Sequence, residues 1–393
     1  MRLAERMAHI GTETAFEAAA RARALEASGR DVIHLHLGEP DFDTPPHIVE
    51  AAARALADGH THYAPPLGLP IFREAVANDF SRRHDVAVGP DRVVITPGAK
   101  PVMAFTMMAL VGPGDEVIVP DPGFPIYESM TRFVGATPVP IALRPESAFR
   151  LDLDELRSLI TPRTRLLVLN SPQNPTGSVL PRSDIEGIAS IAMAHDLVVL
   201  ADEIYSRIIH EGEHFSILAV EGMEERTIVL DGLSKTYAMT GWRLGWGILP
   251  PALVPAFERL LINTVSCTAT YAQIAGAAAL DGPQHAVEAM VREFRARRDL
   301  VVAGLDALPG VAAPMPSGAF YAFPDVSATG MTGRTFADRL LQEAGVSVLA
   351  GTAFGRHATG SLRVSYATSQ PRLRLALARM ADLLVAADVT PRV

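Results

Sequence analysis

Short apolar runs of strand length alternate along this chain with longer stretches of helical period, and that alternation limits the fold more than any other feature. It is the pattern of an α/β protein with a mainly parallel sheet, because each parallel strand needs a long crossover, usually a helix, before the next. The candidate strands cover 92–96, 116–119, 165–169, 197–201, 227–230 and 244–249. They show little polar–apolar alternation, as expected of strands covered on both faces. One intervening helix is well marked, with Thr44 as cap, Pro45 in the first turn, Ile48, Ala52 and Leu56 along one face, and Gly59 as the stop. After about Asp281 the pattern changes to a charged helix near 288–298 and short strands separated by Gly and Pro. The expected division is a large domain over 45–285 and a smaller α+β domain built from 1–44 and 286–393.

Ligands of open α/β sheets bind beyond the carboxyl ends of the strands, so the residues that follow each apolar run are the candidates for chemistry. VVIT is followed by Pro97-Gly98-Ala99-Lys100, LLVL by Asn170 and then Asn174 and Gly177, LVVLA by Asp202, Glu203 and Tyr205, and TIVL by Asp231, Ser234 and Lys235. Brought together, these would unite an amine nucleophile, an acid and an anion cradle. That set suits pyridoxal phosphate (PLP). The cofactor needs a lysine for its aldehyde and a carboxylate that keeps its pyridine nitrogen protonated, so that the ring becomes an electron sink. Tyr205 and Asn174 can donate to its ring oxygen. A helix N-terminus after Gly98 and the planar fork of Arg243 can hold its phosphate.

The chain resembles the class I aminotransferases of PLP fold type I, in particular their bacterial aspartate aminotransferase branch. The resemblance rests on LGEPDFDTP (37–45), THYAPPLG (61–68), NSPQNPTG (170–177), ADEIYS (201–206), SKTYAMTGWRLG (234–245) and LRVSYATS (362–369). It implies a mainly parallel seven-stranded sheet between helices, plus a smaller α+β domain. It also implies that Lys235 is the Schiff-base lysine and the later proton carrier, that Asp202 pairs with the pyridinium, and that Asn174 and Tyr205 sit at the ring oxygen. Phe124 would stack on the ring, and Gly98, Ala99, Lys100, Ser234 and Arg243 would surround the phosphate. Tyr63 resembles the tyrosine that reaches a neighbouring subunit's phosphate, which implies a homodimer with shared sites. Arg363, helped by the Gly38 backbone and Asn174, would clamp the substrate α-carboxylate. Lys100, Thr12 and Thr14 match residues that contact a distal carboxylate, favouring aspartate and glutamate, although Glu13 would repel such a group if it points inward. One departure stands out: many relatives carry Ser or Thr three residues before the lysine, where this chain has Gly232.

Taken singly, each residue has a plainer explanation. Asp202 can be a helix cap, Lys235 a solvated loop residue, Arg363 a buried ion-pair partner, and Asn174 a turn residue before proline. Tyr63 and Phe124 can be ordinary packing. Their joint occurrence in order is what carries the reading. His210-Glu-Gly-Glu-His214 matches the HExxH pattern of zinc peptidases, but Gly212 at its centre and the absence of helical period predict a loop. His34 and His36 fall in a short strand with no third ligand in view, and no metal is expected there.

The rest of the chain excludes other classes. A net charge of −9 without a basic run argues against nucleic-acid binding. The apolar run at 101–111 is about half of the ~20 residues that cross a bilayer, and Glu5, Glu13 and Glu17 break the N-terminal region, so neither a membrane span nor a secretory signal is expected. Cys267 is the single cysteine, which points to a reducing, cytoplasmic setting. Rival functions are an aminotransferase for aromatic, aliphatic or other amino acids, a PLP-dependent β-lyase, and a PLP-sensing regulator. The last would need a DNA-binding domain, for which the 36 residues before LGEPDF are too few.

Overall fold

The computed structural model describes residues 2–11 and 14–387. Its strands are β1 (Ile33–His34), β2 (Val93–Thr96), β3 (Glu116–Asp121), β4 (Thr137–Ala142), β5 (Thr164–Asn170), β6 (Val198–Asp202), β7 (Thr227–Gly232), β8 (Gly245–Ile248), β9 (Tyr321–Ala322), β10 (Val346–Ser347), β11 (Leu349–Ala350) and β12 (Leu362–Ser365). Seven of them form one sheet in the order β2-β8-β7-β6-β5-β3-β4. Pairing is parallel throughout except around β8, which runs antiparallel to both β2 and β7. The expected seven-stranded, mainly parallel sheet is therefore present.

Helices cover both faces, which explains the unbroken apolar runs. On β5, Leu166 and Val168 pack with Val102 and Phe105 of helix Lys100–Leu110 and with Phe257 of helix Val254–Thr264. Leu167 and Leu169 point the other way, toward Leu156 of helix Leu153–Leu159 and Ile185 and Ile188 of helix Arg182–Ala194. Each strand is thus buried twice, and a period of two is invisible in its hydrophobicity.

Six strands fall where the sequence predicts them, to within a residue or two at their ends. β4 is the addition. It lies at the sheet edge, pairs only with β3, and carries Pro138 and Pro140. Prolines argue against a central strand, but an edge strand tolerates them because its outward side has no ladder partner to lose. The helix predicted after Thr44 spans Pro46–Ala57 and buries Ile48 and Ala52. Thr44 does not cap it. Its hydroxyl donates to the Ala238 carbonyl at 2.9 Å and accepts from Trp242 Nε1 at 3.0 Å, tying this segment to the loop after Lys235. Leu56 remains 46 % exposed.

Two small sheets lie outside the large one. β1 pairs in parallel with β10, and β11-β12-β9 form an antiparallel trio. The long helix His285–Asp306 packs against the C-terminal helix Gln370–Ala386. Among the described residues, no helix is long and apolar enough to cross a membrane.

Candidate active site

Three adjacent strand ends of the large sheet form the floor of a cavity of about 460 Å³. Asn170 closes β5 and lies in register with Asp202, which closes β6. Lys235 follows β7 in the short helix Leu233–Thr236. All three side chains line the cavity, together with Ala99, Lys100, Phe124, Asn174, Tyr205, Ser234, Arg243, Gly38 and Arg363. Residues more than 300 positions apart in the chain thus meet where an open α/β sheet binds its ligands.

Asp202 is buried. Its Oδ2 accepts from the Tyr127 hydroxyl at 2.6 Å and its Oδ1 from the Ile204 N–H at 3.2 Å. Burial dominates and pushes its pKa up to about 6, while those two donors and the Lys235 charge pull the other way. A cation brought beside it would restore the charged carboxylate. Asn170 steadies the floor. Its Nδ2 donates to the Asp202 carbonyl at 3.0 Å, and its Oδ1 accepts from the Asn174 N–H at 2.8 Å. Lys235 Nζ donates closely to the Gly38 carbonyl, bridging the large sheet to the segment after β1. Tyr205 and Tyr321 share a hydroxyl–hydroxyl hydrogen bond of 2.7 Å. Burial first, and the neighbouring Tyr321 second, push the Tyr205 pKa well above its ordinary value, so it is a neutral phenol at physiological pH.

Arg363 enters from β12. Nη1 donates to Asn174 Oδ1 at 3.0 Å and Nη2 to the His36 carbonyl at 2.6 Å, and the guanidinium carbon lies 4.5 Å from the Tyr321 ring centroid and 4.8 Å from that of Phe354. Stacked and hydrogen-bonded, this cation is held in one orientation.

At the opposite end, Gly98 turns the chain with φ +84° into helix Lys100–Leu110. A Cβ on Gly98 would collide with Arg243 Nη2, and one on Gly245 would collide with the Ala99 nitrogen. Two glycines thus let the helix start, the Arg243 guanidinium and β8 crowd together as a cradle. Arg243 itself has φ +56° and donates from Nη1 to the Thr240 carbonyl at 2.9 Å. At Gly232 the chain is extended, and a Cβ would lie 2.8 Å from the Leu244 carbonyl oxygen. The local backbone is packed for glycine, and Ser234 is the nearby hydroxyl that reaches the cavity.

Not every expected residue converges. Tyr63 is 89 % exposed and lies outside this cavity. Thr14 starts helix Thr14–Ala27, but Ala15 and Phe16, not Thr14, line the opening. Thr12 and Glu13 lie outside the described residues. Sequence reasoning missed Tyr127 and Tyr321; it singled out Asn170 as the residue that follows an apolar run but gave it no role.

The two histidine patterns resolve plainly. His210 and His214 sit in irregular backbone around Gly212, with φ +73°. His210 Nε2 lies 2.8 Å from the Ala319 carbonyl, and His214 faces Glu203 instead. His34 Nε2 pairs with Glu26 at 2.7 Å, while His36 is buried behind it, its pKa pushed down to about 4 chiefly by burial.

A lysine, a buried carboxylate and a stacked arginine thus meet in one cavity at the carboxyl edge of an α/β sheet, an arrangement suited to group-transfer chemistry. Residues 30–380 match the family model of class I and II aminotransferases, and the chain belongs to that family. It is 42% identical to the arginine–pyruvate transaminase of Pseudomonas aeruginosa, over 92% of each chain. It is 44% identical to the aspartate/prephenate aminotransferase of Thermus thermophilus, over 93% of this chain and 94% of that one. The structure of a Thermus thermophilus aspartate aminotransferase with maleate superimposes with a TM-score of 0.94 at 42% identity, covering 98% of this chain and 100% of that chain. The chain is an aminotransferase of the aspartate aminotransferase type.

Proposed function

We propose that this aminotransferase holds PLP covalently on Lys235 and exchanges amino groups between an acidic L-amino acid, aspartate or glutamate, and a 2-oxo acid. The observation that carries the reading is the convergence of Lys235, buried Asp202 and stacked Arg363 in one cavity that also contains Lys100. The residues present fit the cofactor. Asp202 would pair with the pyridinium, Tyr205 and Asn174 with the ring oxygen, and Phe124 with the ring face. Gly98, Ala99, Lys100, Ser234 and Arg243 would hold the phosphate. When bound, the cofactor supplies an electron sink for charge developing at the substrate α-carbon.

The chain's own residues do the rest. Arg363, helped by Asn174 and the Gly38 backbone, grips the α-carboxylate and so fixes which face of the α-carbon is presented. The free Lys235 amine would take the proton from the substrate α-carbon and hand it on, acting as general base and then acid. Tyr205 stays protonated and donates throughout. Lys100, at the cavity rim with Phe124 at 5.6 Å, gives the distal carboxylate a cation. The maleate held by the Thermus thermophilus enzyme is a dicarboxylate and supports the acidic preference.

Glu39 lines the same cavity, and the arginine–pyruvate relative is 42% identical. Together they favour a second reading in which the side-chain subsite takes a basic group.

In the same reading, the 45–285 body supplies Lys235, Asp202 and Asn174, while the 1–44 and 286–393 parts supply Gly38 and Arg363. Tyr63, exposed in the single chain, would complete the phosphate cradle of a second copy in a homodimer, in a cytoplasmic setting. Sedimentation at micromolar concentration should then give twice the chain mass.

The first experiment is an absorbance spectrum of the purified protein with L-aspartate, L-glutamate or L-arginine. A yellow band that bleaches with the acidic pair and returns with 2-oxoglutarate supports the first reading, and bleaching by arginine alone moves the assignment to the second. Arg363→Ala should raise KM for every amino acid donor, lowering kcat/KM by about 10–100-fold, the worth of hydrogen bonds between charged groups. An unchanged KM would remove Arg363 from the substrate site. Gly245→Ala should weaken PLP binding by at least about tenfold, since its methyl would push the Ala99 backbone out of the cradle. Titration of the apoprotein with PLP measures this, and wild-type affinity would refute the role of that close approach.

A further inference from the structure

We infer that His84, Glu203 and His214 form a binding site for one divalent transition-metal ion of the Zn²⁺ or Co²⁺ kind, one residue beyond Asp202 and outside the cavity that Asp202 lines. This goes beyond transamination and does not rest on the cofactor reading. Each of the three residues offers a ligand atom, and these atoms all lie within 4.8 Å of one another. They come from three separate segments: the last residue of helix Pro70–His84, the residue after β6, and the irregular stretch before Ser216. Two imidazoles and one carboxylate are a donor set suited to zinc or cobalt, with a fourth position left for water.

The carboxylate is already oriented. Ser216 donates to Glu203 Oε1 at 2.6 Å, which leaves Oε2 to face His214 Nε2 at 3.1 Å. An outer partner of this kind fixes a ligand before the ion arrives. The His84 and His214 rings meet edge to face, with centroids 5.5 Å apart and planes at 83°. Tetrahedral ligand atoms around zinc lie about 3.4 Å apart, so the widest pair, at most 4.8 Å now, must close by up to about 1.4 Å. A cavity of about 10 Å³ beside Glu203 and His214 gives them slack. A surface cleft of about 490 Å³ lined by Gly212, Glu213 and His214 provides an entry path.

Arg83 opposes the ion. Its Nη1 lies 3.2 Å from His84 Nε2. A metal-bound neutral imidazole uses one nitrogen for the ion and carries its proton on the other, so Arg83 must let go whichever nitrogen ligates. It keeps Asp79 at 2.9 Å and Asp231 at 3.8 Å when it does, so the guanidinium is not stranded. A plain His214–Glu203 ion pair accounts for two of the three residues, and His84 is held beside them by the Phe80 ring at 4.4 Å and by Arg83.

The test is titration of the purified, chelator-treated protein with Co²⁺, followed by its ligand-field absorbance and by elemental analysis. The expected result is about one ion per chain with the intense bands of a four-coordinate site, and displacement by Zn²⁺. His84→Ala and His214→Ala should each weaken binding by at least about tenfold, whereas exposed His60→Ala should leave it unchanged. If His214→Ala fails to fold, His84→Ala decides alone, because His84 is only half-buried and leaves the His214–Glu203 pair intact. Absence of stoichiometric uptake, or wild-type affinity in His84→Ala, overturns the proposal.

Discussion

Lys235→Ala should abolish transamination, with kcat reduced at least about 10⁴-fold, the upper range of what a positioned proton carrier supplies. The reason is that no other described amine or imidazole takes its place. Lys100 lines the same cavity, but it opens the helix at the cradle end, whereas Lys235 follows β7 next to Asp202. The histidines nearest in sequence to the site residues, His36 and His210, are not among the cavity's lining residues, and His210 is held at the Ala319 carbonyl. The fold should survive, because Lys235 is only part-buried and its contact to the Gly38 carbonyl can be taken over by water. The variant should therefore still bind PLP through Asp202 and Arg243, but without the yellow band that a lysine-bound cofactor shows. Single-turnover assays with added PLP and glutamate measure the loss. Turnover within tenfold of wild type would end the assignment of Lys235 as proton carrier.

The legible part of this site lay at the ends of apolar runs. Gly98, Asn174 and Lys235 follow a strand and Asp202 ends one, and a parallel sheet sends every such end to the same edge, so periodicity alone brings them together. Arg363 and Gly38 were legible only through the resemblance to a known family. They stand in β12 and after β1, short strands with no period to read, and reach the site by long-range packing. Tyr127 and Tyr321 were illegible for a different reason. Tyr127 lies in the first turn of helix Ile126–Phe133, which packs against β3 and β4, and only that tertiary packing brings its hydroxyl to Asp202. Tyr321 reaches Tyr205 because β9 is brought near the large sheet by contacts far along the chain. Thr44 shows the converse error. A threonine before a proline-started helix reads as a cap, but its hydroxyl found better partners in Ala238 and Trp242. Local pattern chooses the element, and tertiary contacts then choose what each polar side chain does.

Asp202→Asn should lower kcat by about 10²–10³-fold, the usual effect of removing one preorganised electrostatic partner, while changing stability in the opposite sense. In the cofactor-free protein the carboxylate is buried and its pKa stands near 6 against an unfolded value of 3.8. The folded state therefore holds its proton more tightly than the unfolded state does. Stability contributed by this residue is full below about pH 4 and falls as the pH rises through about 6. Above that range the ionised, buried group costs on the order of 3 kcal/mol. The amide of the variant would not ionise, so this part of the pH dependence should vanish. The variant also gives up one hydrogen bond, because an amide oxygen cannot replace both carboxylate acceptors of Tyr127 and Ile204. Asp231, raised to about 7, also chiefly by burial, adds a similar fall in both proteins, so the informative quantity is the difference between them. PLP reverses the logic in the wild type. A pyridinium beside Asp202 pulls its pKa down, so cofactor binding should stabilise the wild type increasingly as pH rises from 5 to 8, and the variant far less. Thermal unfolding of the cofactor-free and loaded forms across that range measures all four curves. Parallel curves for wild type and variant would mean that Asp202 does not meet the cofactor's nitrogen, and its burial would then need another explanation.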